Sequence, residues 1–173
     1  MFRWLRRNRQ DQLVTDSHAA LGRAGLPGYA GDYPQPGSRP LHIEYAPHPD
    51  GLADPGEVVW AWVPFEEDYS KGKDRPVLIV GRDGDLLLGL MLTSKDHNRD
   101  AAEEATHGRH WLDVGAGGWD GQRRPSEVRL DRILRLHPDG VRREGATLPR
   151  PVLTRSAPVC GPYVHNPPDR LVG

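Results

Sequence analysis

The chain has 173 residues, 36% apolar and 27% charged, and its 23 Lys and Arg against 24 Asp and Glu leave a formal net charge of −1. That length and balance predict one domain rather than a two-domain enzyme and exclude a global positive field, so a nucleic-acid partner would need a local site. Cys160 is the single cysteine, which rules out an intrachain disulfide, a CxxC pair and a Cys-rich zinc knuckle.

Twenty Gly and 17 Pro make up about a fifth of the positions, against roughly 12% in average usage, so irregular segments must hold the excess. No stretch nears the roughly 20 apolar residues that span a bilayer, and the start, MFRWLRRNRQDQL, lacks the apolar centre of a secretory signal. A cytoplasmic protein without a membrane partner is expected. Residues 1 to 24 set Arg3, Arg6, Arg7 and Arg9 beside Phe2, Trp4, Leu5, Leu13 and Val14, which predicts a short helix with a basic end. Residues 27 to 56 hold seven Pro and five Gly and read as a linker or arm. Its one strand-like piece is Leu41 to Tyr45, placed to add to a sheet edge.

From Glu57 the pattern changes to short apolar runs separated by turns. Val58 to Val63 (VVWAWV) is apolar on both faces and stops at Pro64, as a core strand would. Pro76 to Val80 (PVLIV) is a second strand. Asp83-Gly84 then supplies a tight hairpin, with Leu86 to Leu92 as the return strand. A polar stretch from Lys95 to Arg109 precedes a strand over His110 to Val114, the Gly-rich GAGGWDG, and a last strand over Val128 to Leu136. Five short strands in about 80 residues with no long helical period predict a mainly β protein, a small barrel or roll. Residues 146 to 173 hold six Pro and no amphipathic period, which predicts an extended, irregular tail. The expected division is an N-terminal extension over 1–55, a barrel over 56–145 and a Pro-rich tail over 146–173.

Four features in order carry a family resemblance: Pro55-Gly56-Glu57-Val58-Val59-Trp60, Lys73-Asp74-Arg75-Pro76-Val77-Leu78-Ile79-Val80, Leu92-Thr93-Ser94 and Val128-Arg129-Leu130-Asp131-Arg132-Ile133. They resemble, respectively, the opening strand, the Arg-Pro entry to the second strand, the Thr-Ser closing the third, and the late Asp-bearing strand of the PemK/MazF toxin endoribonucleases. The resemblance covers about residues 55 to 137. It implies an SH3-like, or plasmid-maintenance-toxin, barrel of about five strands that forms a homodimer. Such a protein cuts single-stranded RNA without metal or other cofactor and is held inactive by an antitoxin protein. The sequence departs from the family in its 55 leading residues, in a longer and more polar stretch from Lys95 to Gln122, and in an ending that does not read as the family's terminal helix.

Metal-free RNA cleavage uses the ribose 2′-OH as nucleophile, so the protein must supply a proton acceptor, a proton donor and a cation for the charge that grows on the phosphoryl oxygens. Arg75, held extended by the following Pro76, is suited to that last role because a guanidinium bonds two oxygens at once and stays protonated. Thr93 offers a stiff hydroxyl at a strand end, and the resemblance pairs the two positions in an active site. Arg129 and Asp131 lie two apart and share a strand face; some family members use such a pair in cleavage or RNA contact. Lys73, the Ser94 backbone N–H and His97 are candidate RNA contacts, with His97 the candidate acid or base, and Phe65 and Tyr69 offer faces for an unpaired base. Residues 57 to 145 carry 14 basic and 17 acidic groups, so binding would be short and selective. Two rivals remain. One is a noncatalytic SH3-like binding module derived from the same family. The other is a metal-dependent hydrolase on His107 and His110, whose HxxH spacing lacks the intervening Glu and a third ligand.

Overall fold

The computed structural model describes residues 28–33, 43–97 and 100–156. The basic helix expected over 1–24, Leu41 and His42 of the strand-like piece, and the tail beyond 156 with Cys160 lie outside the described residues.

Eight strands run in chain order as β1 (Tyr29–Asp32), β2 (Glu57–Pro64), β3 (Gly72–Asp83), β4 (Leu86–Thr93), β5 (Trp111–Gly115), β6 (Ser126–Arg129), β7 (Leu134–Leu136) and β8 (Val141–Thr147), with short helices α1 (Ala101–Thr106) and α2 (Arg150–Ser156). The main path is β1-β7-β4-β3-β2-β8, and β6 pairs with both β4 and β5. Every pairing is antiparallel. Strand β4 meets β7 at Leu87 to Gly89 and β6 at Leu92 and Thr93, so the sheet divides there and curls into a half-barrel. This is the mainly β, barrel-like class expected.

The apolar-on-both-faces pattern has a direct cause, because the curled sheet carries a core on each side. Val58, Leu78, Val80, Leu88, Leu90 and Leu92 pack on one side with Trp119, Leu148 and Leu153. Val59, Ala61, Val63, Val77, Ile79, Leu87 and Met91 pack on the other with Leu134 and Leu136. Each Val, Leu, Ile or Met among them, removed from water, contributes about 1.5 to 3 kcal/mol.

Several expectations need correction. Among the described residues the sheet has eight strands rather than about five. The single strand over Val128 to Leu136 is two, β6 and β7, because the chain bends at Leu130 to Ile133; the three-residue step from Leu130 to Ile133 breaks the period of two. The hairpin turn falls on Gly84-Asp85, with Asp83 opposite Leu86. Strand β1, inside the segment expected to be an extension, pairs with β7. Of the arm's strand-like piece, Ile43 is buried and the Glu44 N–H donates to the Val80 carbonyl at 2.9 Å, without forming a strand. The extended tail expected from Ala146 begins instead as the end of β8 and the helix α2. Pro151 sits in the first turn of α2, where no intrahelical N–H is lost, and Leu153 reaches the core.

Gly56 opens β2 under a double constraint. Its φ is +99°, and a Cβ there would lie 2.7 Å from the Tyr45 ring. Its N–H donates to the Ile79 carbonyl and its own carbonyl accepts from Leu148 N–H, both at 2.8 Å, so β3 and the chain after β8 are joined through it. Gly56→Ala is expected to lose about 1 to 3 kcal/mol from backbone strain alone, read as a lower urea midpoint with unchanged slope. In GAGGWDG, the Trp119 ring lies where a Cβ on Gly117 would come within 2.1 Å. The same Trp119 donates from Nε1 to Ser126 Oγ at 3.1 Å and accepts from Trp60 Nε1 at 3.0 Å. The Gly-rich segment therefore serves packing. No helix among the described residues is long and apolar enough to cross a membrane.

Candidate active site

Antiparallel pairing of Val77 with Met91 sets the register between β3 and β4. Arg75 and Thr93 each lie two residues farther along, on the same face as Val77 and Met91. The two side chains leave the core at one end of the sheet and line a single pocket of about 320 Å³. No hydrogen bond or ion pair holds the Arg75 side chain among the described residues, and burial alone pushes its pKa below the ordinary arginine value. The Thr93 hydroxyl accepts from the Lys95 N–H at 3.2 Å, which leaves its own hydrogen to donate.

Arg129 reaches the same pocket from the end of β6, but all three of its guanidinium nitrogens already have carboxylate partners. Nη1 and Nη2 donate to the Glu66 carboxylate at 2.8 and 3.0 Å, and Nε and Nη2 donate to Asp131 at 3.1 and 2.6 Å. Burial works against its charge, yet the two carboxylates more than offset this and raise its pKa. Burial likewise works against a charged Asp131. The Arg129 fork and the His110 N–H, at 2.9 Å, prevail and hold it below the usual carboxylate value. Asp131 therefore stays ionised and orients Arg129; its lone pairs are committed, which makes it a poor proton acceptor.

This yields a stability test. A carboxylate whose folded pKa lies below its unfolded value near 3.9 adds stability that is fully present above that value and lost as pH falls through the folded pKa. Asp120 behaves in the same way: burial opposes its charge, but Arg124 and the backbone of Gln122 outweigh it. The gap in Tm between wild type and Asp131→Asn, open at pH 6, is expected to start narrowing near pH 4 and to close only as pH falls through the folded pKa; a gap that does not narrow below about pH 4 would contradict the assignment.

Of the other expected contacts, Phe65 and His97 line the pocket. His97 lies flat against Trp111, with ring centroids 4.1 Å apart and planes 3° from parallel. Lys73 and Ser94 are exposed and do not line it. Tyr69 is turned away, its hydroxyl donating to Asp32 at 3.3 Å and its ring stacked on Tyr29. His107 and His110 are both exposed; His107 caps α1 and His110 lies beyond it, so they do not share a helix face. No group of three or more His, Cys, Asp or Glu is placed to hold a metal among the described residues.

The sequence reading missed Lys95, Arg109, Trp111 and Arg132, which also line the pocket. Arg132 directly follows Asp131, so adjacency to that motif was a usable signal; Arg109 carried none. With Arg75 and Arg129 these give five cations against Glu66, Glu67 and Glu104, a positive cleft in a stretch whose net charge is −3. Arg132 lines a neighbouring cavity of about 510 Å³ as well, together with Arg109, Arg129 and Asp131.

A curled β half-barrel with a guanidinium-lined cleft at its strand ends defines a small barrel protein with a cation-rich cleft. A family model described as PemK-like, MazF-like toxin of type II toxin-antitoxin system matches residues 54–155. That is well over half of the chain, and the chain belongs to this family, whose members are generally endoribonucleases, typically dimeric, with antitoxin partners. No curated protein and no solved structure matches the chain.

Proposed function

We propose that this chain is a metal-independent endoribonuclease toxin, acting in the cytoplasm on single-stranded RNA, as a homodimer restrained by an antitoxin protein. The observation that carries this reading is the unpaired Arg75 guanidinium facing the same positive cleft as the Thr93 hydroxyl. In the proposed reaction the ribose 2′-oxygen, giving its proton to a base, attacks the adjacent phosphorus; the bond to the 5′-oxygen breaks as that oxygen takes a proton from solvent, and a 2′,3′-cyclic phosphate remains. Arg75 bonds the phosphoryl oxygens as their charge grows, and Thr93 donates to one of them. His97 is the proton acceptor to test, since Asp131 is committed to Arg129. Phe65 and the His97–Trp111 stack offer aromatic surface to an unpaired base. Lys73 and Ser94 lie outside the pocket and would meet only RNA that extends beyond it.

Purified protein incubated with single-stranded RNA, with and without EDTA, tests this reading through the product ends. A cyclic phosphate formed equally in both conditions is expected. Cleavage abolished by the chelator would move the chemistry to His107 and His110, and no cleavage by folded dimer would favour a noncatalytic binding module.

A further inference from the structure

The family match begins at residue 54, yet a residue well before it pairs with Arg132 of the cleft lining. Asp32, the last residue of β1, accepts from Arg132 Nε on both carboxylate oxygens at 3.1 Å. The Tyr29 hydroxyl donates to Oδ1 at 2.8 Å and the Tyr69 hydroxyl to Oδ2 at 3.3 Å. Arg132, 5% exposed in its side chain, gives Nη1 to the Pro64 carbonyl at 2.8 Å. Its guanidinium carbon stands 5.8 Å from the centre of the Tyr69 ring, which stacks on Tyr29 at 6.3 Å. Both flanks of the 65–71 loop are thus tied to one ion pair: Pro64 just before it through Arg132, and Tyr69 within it through Asp32. Between those two anchors lie Phe65, Glu66 and Glu67, all of which line the cleft.

We propose that Asp32 is a positioning residue, which through Arg132 and Tyr69 pins the 65–71 loop so that Phe65 and Glu66 form the cleft wall before RNA arrives. Its catalytic consequence rests on the endoribonuclease reading; the tether itself does not. A carboxylate suits the role because both its oxygens are needed, each taking a guanidinium hydrogen bond and a tyrosine hydroxyl. Without it, the buried Arg132 fork loses its counter-charge and the loop keeps only the Pro64 end of its anchor. The strand that delivers Asp32 is held independently by pairing with β7, so β1 acts as a brace for a loop about 35 residues farther along the chain.

Full-length protein is compared with Asp32→Ala and Tyr69→Phe in two measurements: trypsin cleavage at the exposed Lys71, followed by mass, and RNA cleavage kinetics. Loss of a hydrogen bond to a charged group is worth about tenfold, so Asp32→Ala is expected to speed cutting at Lys71 by about that factor. Cutting at Arg123, in a loop distant in the chain, should stay unchanged. For RNA, KM is expected to rise several-fold with little change in kcat, whereas a role confined to overall stability would lower Tm and leave KM alone. Tyr69→Phe, which keeps both ring stacks, should show a smaller effect of the same sign and decides the matter if Asp32→Ala does not fold. Unaltered Lys71 protection in either folded variant overturns the tether. If wild type cuts no RNA, the functional reading fails while the protease measurement still decides the tether.

Discussion

Arg75→Ala is expected to lower the rate of RNA cleavage by a factor of about 10² to 10³, the usual loss when one preorganised donor to a developing anion is removed. The effect is expected to fall on kcat more than on KM, because the phosphoryl oxygens that the fork bonds gain their extra charge only as the phosphorus becomes five-coordinate. Stability should move the other way. The Arg75 guanidinium is desolvated without a compensating partner among the described residues, so taking it away relieves a cost and leaves Tm equal to or above that of wild type. Arg75→Lys keeps a cation but not the two-pronged geometry and should recover only part of the rate. Thr93→Val, nearly the same in shape, should lose activity by a smaller factor. Full activity in folded Arg75→Ala would dismiss this residue from the chemistry, and a fall in Tm matching the fall in rate would mark it as structural.

Arg75 and Thr93 were legible for a local reason. Each ends or enters a strand whose apolar run is unbroken, and the hairpin between β3 and β4 converts sequence distance into register. The same continuity made β2, β3 and β4 readable to within a few residues, although β3 starts earlier than its apolar stretch because Gly72 to Pro76 still pair with β2, and ends later because Gly81 to Asp83 pair with β4. Strand β1 has no such run. Tyr29-Ala30-Gly31-Asp32 is a weak strand former, and what orders it is the open edge of β7 rather than its own propensity. Helix α2 was hidden by Pro149 just before it and Pro151 within it, which a composition count reads as extended chain although the start of a helix tolerates proline. The pairing of Asp32 with Arg132 spans 100 residues and leaves no periodic trace. The engagement of Arg129 was half visible: Asp131 two residues on is a local partner, but Glu66 comes from a loop that only the fold brings near.

Arg129→Met is the second large effect expected, because it removes a cation and exposes two anions at once. Glu66 and Asp131 would lose their shared counter-charge, and an approaching phosphate would meet weaker attraction, with four cations rather than five set against Glu66, Glu67 and Glu104. Cleavage should fall by about 10³ or more, with KM rising as kcat falls. Stability should drop by about 2 to 3 kcal/mol, less than the about 3 to 5 of a fully buried pair, since Glu66 keeps about a third of its side chain in water. One change cannot separate loss of an RNA contact from this electrostatic damage, but a combined variant can. Arg129→Met with Glu66→Gln and Asp131→Asn removes the stranded charges and should regain most of the lost stability. If its activity stays near that of Arg129→Met, the Arg129 fork itself engages RNA. If activity returns with stability, Arg129 serves only to neutralise its carboxylates. Glu66→Gln alone sharpens the distinction, since it frees part of the fork while keeping the loop's shape. A rise in RNA affinity at low salt, fading as ionic strength grows, is expected if a phosphate takes the place that the Glu66 carboxylate now holds.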